Sequence, residues 1–190
     1  LYFFSIAGAR KYDYPPSFSY HNPWFKSYGY LNKYYGRLSV ALSAGKQINK
    51  ILVLEPTTTA WMYDSYLRKQ RDSLFYKIGD SFQSFVTKLE KNQVEYDLGS
   101  EDIISKHGKA GKDGLIIGEG KYSLVVIPPM TENLKSDVFE IIKQYVVNGG
   151  KLLTYSKPTR INGVINNEVA DFFNGKNIIH ADELNSDSIF

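Results

Sequence analysis

Lys50-Ile-Leu-Val-Leu-Glu-Pro56 holds four consecutive aliphatic residues with no polar residue between them. A strand with one wet face alternates apolar and polar side chains. An unbroken aliphatic run of this length suits a strand covered on both faces, as in a parallel sheet. Working outward, strands are predicted at Val94–Leu98, Gly114–Gly118, Tyr122–Ile127, Lys151–Tyr155 and Asn177–His180. Helical periodicity separates them. A long helix is predicted over about 66–92, with Leu74, Ile78, Phe82, Phe85 and Leu89 on one stripe. Ser100 opens a short helix as N-cap, and Thr131 caps another that runs to about Val147 with Leu134, Val138, Ile141 and Tyr145 inward. Gly149-Gly150 stops that helix, and Asn167–Phe173 forms a last short one. Strands alternating with helices imply long right-handed crossovers, hence a mainly parallel sheet.

The fold class is therefore α/β, a three-layer flavodoxin-like or Rossmann-like domain. A different segment precedes it. Leu1–Ile6 reads as a strand already under way, and residues 7–22 as a loop rich in Gly, Pro and aromatics. Asn22 is a good N-cap and Pro23 suits a first helical position. Tyr28, Leu31, Tyr35, Leu38 and Leu42 then recur at spacings of three and four, and Gly45 closes the helix. Thirteen aromatic residues fall within the first 35 positions. Residues 1–45 carry five basic side chains against one acid, Asp13. The composition shift predicts two segments, 1–46 and 47–190.

Composition narrows function. With 190 residues, 43% hydrophobic, the chain can bury a core and is not expected to be disordered. It has no cysteine, which excludes disulfides and a thiol nucleophile. A net charge of +3, scattered along the chain, gives no argument for nucleic acid. No apolar run approaches the roughly 20 residues that span a bilayer. Leu1 is not an initiator Met, no signal-peptide pattern precedes Ile6, and the chain reads as a piece of a longer polypeptide.

Motifs narrow it further. The first strand-to-helix turn, Leu54-Glu-Pro-Thr-Thr-Thr-Ala-Trp61, contains neither a dinucleotide nor a nucleotide-triphosphate glycine pattern. Thr57–Thr59 offer hydroxyls to an anion or flavin phosphate, or else cap a turn. Ser156-Lys157-Pro158 follows a predicted strand, but no G-x-S-x-G elbow or neighbouring His supports a Ser nucleophile. His21, His107 and His180 are far apart and form no metal-binding pair. No cofactor or metal is expected. Gly108–Gly114 is glycine-rich and is predicted to be a flexible surface loop. The stretch from Gly8 to Trp24 combines stiffening prolines with aromatic faces, which suits either stacking on a sugar or burial at a domain interface.

Three stretches carry a resemblance: GARKYDYPPSFSYHNPWF, LNKYYGRLSVALSAGK and ILVLEPTTTAW. Together with the pattern of Leu115–Tyr155, they resemble the C-terminal half of family 106 glycoside hydrolases, the α-L-rhamnosidase-like enzymes. The resemblance spans nearly all 190 residues. It implies that residues 1–46 are the last strand and helix of a (β/α)8 catalytic barrel. Residues 47–190 would be its class I glutamine amidotransferase-like accessory domain, scaffolding the barrel. The loop 7–22 would then border the sugar pocket, since barrel active sites lie in the loops after the strands. That makes Asp13, Tyr20, His21 and Trp24 candidate substrate contacts, with Arg10 behind them.

No catalytic residue is assigned. A pair of carboxylates is needed, Asp13 is alone in its segment, and the resemblance places the pair upstream of Leu1. The expected role is a non-catalytic accessory region of a secreted or periplasmic enzyme acting on plant-type polysaccharides. The expected partners are the rest of the barrel, carbohydrate, and a second copy through the N-terminal segment. A free-standing flavodoxin-like ligand-binding module is the alternative, with an anion or flavin at Thr57–Thr59. A second is an independent enzyme using Glu55 or Ser156.

Overall fold

The computed structural model describes residues 22–65, 73–112, 114–175 and 178–181. The chain divides into two compact units, Leu1–Gln47 and Ile48–Phe190.

In the first unit, a 3₁₀ turn at Phe25–Ser27 leads into helix α1, Tyr28–Ser43. The carbonyl of Asn22 accepts the amide of Phe25 at 3.0 Å, so the regular helix starts later than the Asn22 cap predicts. Gly45 follows the helix at φ +106°, as a left-handed terminator requires. No residue of α1 is buried, and Tyr30, Leu31, Tyr35, Leu38 and Leu42 are exposed. The predicted strand 1–6 and most of the loop 7–22 lie outside the described residues.

The second unit opens on β1, Ile51–Leu54, followed by helices α2, Thr57–Tyr63, and α3, Leu74–Lys91. Then come β2, Asp97–Gly99, and α4, Glu101–His107. Three short strands follow: β3, Gly108–Gly111, β4, Gly114–Ile117, and β5, Gly120–Tyr122. The chain continues through β6, Leu124–Ile127, β7, Asn133–Leu134, α5, Ser136–Val147, and β8, Lys151–Thr154. It ends in β9, Arg160–Ile161, β10, Val164–Ile165, α6, Asn167–Phe173, and β11, Ile179–His180.

The main sheet has five strands in the order β11-β8-β6-β1-β2, all parallel. Numbered by their own succession, this is the 2-1-3-4-5 order of flavodoxin-like folds. Of the strand–loop–helix expected at the start of the chain as a barrel remnant, the helix is α1, and no barrel is seen among the described residues.

The register explains the run that decides the fold. Leu52, Val125 and Leu152 stand side by side, as do Val53, Val126 and Leu153. The first row joins a core with Ile104 of α4, Val138, Ile142 and Tyr145 of α5, and Phe173 of α6. The second row joins Phe85, Val86 and Leu89 of α3 on the opposite face. Successive residues of one strand thus meet different helices, and both faces need aliphatic side chains.

Four expectations change. Gly108–Gly114 is not a loop, because β3 pairs antiparallel with β4 over Gly108–Gly111. The predicted strand Tyr122–Ile127 breaks at Ser123 into β5, in the small antiparallel sheet, and β6, in the main one. Thr131 caps no helix: it is buried, its hydroxyl donates to the Pro128 carbonyl at 2.9 Å, and α5 begins only at Ser136. The second strand shifts from Val94–Leu98 to Asp97–Gly99, because Val94 belongs to the cap of α3. There Val94 donates to the Leu89 carbonyl, with Gln93 between them at φ +57°.

Candidate functional site

In an open parallel sheet, ligands bind beyond the carboxyl ends of the strands where the strand order reverses. Here that point lies between β1 and β6. The segments leaving these strands are 55–59 and 128–135, and they are tied to one another. Thr59 is buried in the first turn of α2. Its hydroxyl oxygen accepts the amides of Glu132, at 3.1 Å, and Asn133, at 3.0 Å, and donates to the Asn133 carbonyl at 3.3 Å. Thr58 accepts from the Asn133 side-chain amide at 3.0 Å and donates to Glu101. The side-chain carbonyl of Asn133 accepts the Gly163 amide at 2.7 Å.

Glu101, only 2% exposed, is the acid of this network. It stands at the first position of α4, where the helix dipole favours a negative charge. One carboxylate oxygen takes the Thr58 hydroxyl and the other takes the Lys135 amide at 2.7 Å. Burial pushes its carboxyl above the usual glutamate range, and these two hydrogen bonds pull the other way. Nearby, Tyr63 donates to Glu132 at 2.6 Å, and that bond, then burial, raises the phenol above its ordinary value. The Glu132 carbonyl accepts the amides of Thr159 and Arg160, which holds β9 beside β7.

The crevice at the strand reversal is therefore filled by the chain's own polar groups. An anion there would meet a buried carboxylate, and Thr58 and Thr59 are already engaged. Of the two readings of Thr57–Thr59, these bonds at Thr58 and Thr59 favour the one in which the hydroxyls hold a turn. Ser156 is likewise committed: its hydroxyl donates to the Pro128 carbonyl at 2.8 Å and accepts the Thr131 amide at 3.2 Å. A carbonyl cannot take up the proton that a serine nucleophile must lose. Among the described residues, no three potential ligands cluster to hold a metal, and no helix is long and apolar enough to cross a membrane.

Of the predicted substrate contacts, Asp13, Tyr20 and His21, with Arg10, lie outside the described residues. Trp24 is described, 61% exposed, with its carbonyl accepting the Ser27 amide at 2.9 Å in the 3₁₀ turn.

A cavity of about 340 Å³ lies elsewhere on the second unit, between α2 and α3 beside the end of β1. Glu55, Trp61, Phe75, Tyr76, Gly79 and Asp80 are among its lining residues. Trp61 is 65% exposed. A methyl group on Gly79 would meet nothing within 4 Å. Sequence reasoning missed this site because Phe75, Tyr76 and Asp80 sit off the inward stripe of α3. The overlooked signal was the company of Gly79 in mid-helix, with Phe75 and Tyr76 one turn before it and Asp80 beside it. Comparison with family models and with curated proteins finds no match.

Proposed function

We propose that the chain is a non-catalytic accessory region of a glycoside hydrolase of the α-L-rhamnosidase-like kind, acting on plant-type polysaccharides. In this reading residues 48–190 form an amidotransferase-like domain that scaffolds a (β/α)8 barrel, and the segment before them supplies the barrel's last strand and helix. The partners are the rest of that barrel and its carbohydrate substrate, and the enzyme is secreted or periplasmic. The motif stretches GARKYDYPPSFSYHNPWF, LNKYYGRLSVALSAGK and ILVLEPTTTAW support the family.

The observation that carries the non-catalytic role is the filled crevice. A fold that places its chemistry at the carboxyl edge of the sheet has there Thr58, Thr59, Glu101 and Asn133, bonded to one another and to backbone. The exposed apolar side chains of α1 support a helix made to be covered by other elements.

Two measurements test this reading. The coding sequence on the 5′ side of Leu1 should encode further strand–helix units with carboxylates at strand ends; an unrelated fold there refutes it. The purified chain should not hydrolyse 4-nitrophenyl α-L-rhamnopyranoside. Turnover that disappears in Glu55→Gln or Ser156→Ala would establish an independent enzyme instead.

A further inference from the structure

We propose that the cavity between α2 and α3 binds a small organic cation, an alkylated ammonium. The residues that carry this all belong to the second unit, and the glycosidase reading is not required. The volume, about 340 Å³, falls within the roughly 300–1,000 Å³ in which small ligands bind. The site lies at the carboxyl end of β1, the edge on which this topology places ligands.

Its charge is one-sided. Glu55 and Asp80 line the cavity from different elements, one directly after β1 and the other in α3. Glu55 is half-buried, and its amide donates to the Gly99 carbonyl at 3.0 Å, which fixes its backbone at the strand end. Among the described residues, no hydrogen bond or ion pair engages either carboxylate, and no Lys or Arg lines the cavity. A carboxylate partly withdrawn from water without a partner favours a positive ligand, and it repels phosphates and other anions.

The walls are aromatic. Trp61, Phe75, Tyr76 and Phe82 contribute rings, and Trp61 keeps most of its surface in solvent. Phe75 and Tyr76 stand edge to face, with centroids 5.5 Å apart and planes at 84°, so the pair forms a corner. Ring faces attract a cation that comes within about 6 Å of their centroids. Methyl groups on a charged nitrogen match such walls and need no hydrogen bond. A sugar fits them poorly: apart from the two acids, only Thr57 and Tyr76 bring side-chain hydroxyls. Its remaining hydroxyls would lose water against Ile78 and the rings without a partner in return.

The test uses the full chain carrying Trp24→Phe, which leaves Trp61 as its single tryptophan. Choline chloride is titrated while Trp61 emission is followed. Its uncharged carbon isostere, 3,3-dimethylbutan-1-ol, and L-rhamnose are titrated separately. Choline should give a saturable change, and the isostere should bind at least about tenfold more weakly. Glu55→Gln combined with Asp80→Asn should weaken choline about tenfold and leave the isostere unchanged, a split that a damaged fold would not produce. Asp80 is exposed, and Asp80→Asn alone should weaken choline about threefold with the melting midpoint unchanged. A flat response to choline overturns the proposal. So does equal affinity for choline and its isostere, saturation by L-rhamnose at lower concentration than by choline, or choline affinity that survives the carboxylate substitutions.

Discussion

Replacing Gly150 by alanine should damage the second unit far more than the same change at Gly149. The two glycines are adjacent, end the same helix, and differ in what surrounds them. Gly149 sits at φ +88° with open space where a Cβ would go. Alanine there suffers only the left-handed backbone penalty, roughly 1–2 kcal/mol. Gly150 needs no unusual φ, but its Cβ would fall on the Tyr145 ring, 2.5 Å from Cδ2 and closer still to Cε2 and Cζ. Tyr145 cannot retreat. It is fully buried, and its hydroxyl donates to the Lys151 carbonyl and accepts the Lys151 amide, each at 3.1 Å. Overpacking costs about 1–3 kcal/mol, and displacing the ring adds two hydrogen bonds at about 1 kcal/mol each. The sum is about 3–5 kcal/mol. Urea unfolding followed by circular dichroism measures it. With a slope of about 2 kcal/mol per molar urea, the midpoint should fall by roughly 1.5–2.5 M. Tyr145→Leu should remove most of the clash, giving a coupling of at least about 2 kcal/mol in the double-mutant cycle. Equal midpoints for Gly149→Ala and Gly150→Ala would refute the reasoning, as would strict additivity with Tyr145→Leu.

Three other outcomes follow from local geometry. Gln93 holds a left-handed conformation at the end of α3, between amide bonds to Glu90 and Leu89, so Gln93→Gly should raise stability by about 0.5–1 kcal/mol, read as a higher urea midpoint. Glu101 binds its proton more tightly folded than unfolded, so its contribution falls as pH rises from the ordinary glutamate value, about 4.3, through the raised folded value. Glu101→Gln should therefore gain on the wild type over that window in paired unfolding curves, and parallel curves would contradict the buried-acid assignment. The exposed apolar side chains of α1 should drive concentration-dependent association in sedimentation, and a Leu31→Lys, Leu38→Lys double variant should abolish it.

Most of the parallel sheet was legible because its signal is local. Ile51–Leu54 is an unbroken aliphatic run, Leu152 and Leu153 form the centre of another strand, and the paired glycines stop α5. The antiparallel strands β3–β5 were not legible in full. Glycines that look like a flexible loop instead permit close approach, as at Gly108, where a Cβ would collide with the Ile104 carbonyl. The filled crevice was illegible for a different reason. Its bonds join residues 43 and 74 positions apart, Thr58 with Glu101 and Thr59 with Asn133. Each partner alone reads as a surface polar residue, and only the fold makes them complementary. The α2–α3 cavity had a local trace in Gly79, but Ile78 and Phe82, which also line it, read simply as members of the apolar stripe.

The closed carboxyl edge reverses the usual division of labour in this architecture. Doubly wound sheets acquire new activities by exchanging residues at that edge, because the scaffold does not depend on them. Here Thr59, Glu101 and Asn133 are as much a part of the fold's interior as Leu52. Substitutions among them should be purged for unfolding the domain, well before any gain in chemistry is tested. A laboratory evolution of this chain would therefore advance fastest from the α2–α3 cavity, where Trp61 and Gly79 can vary without loosening the sheet.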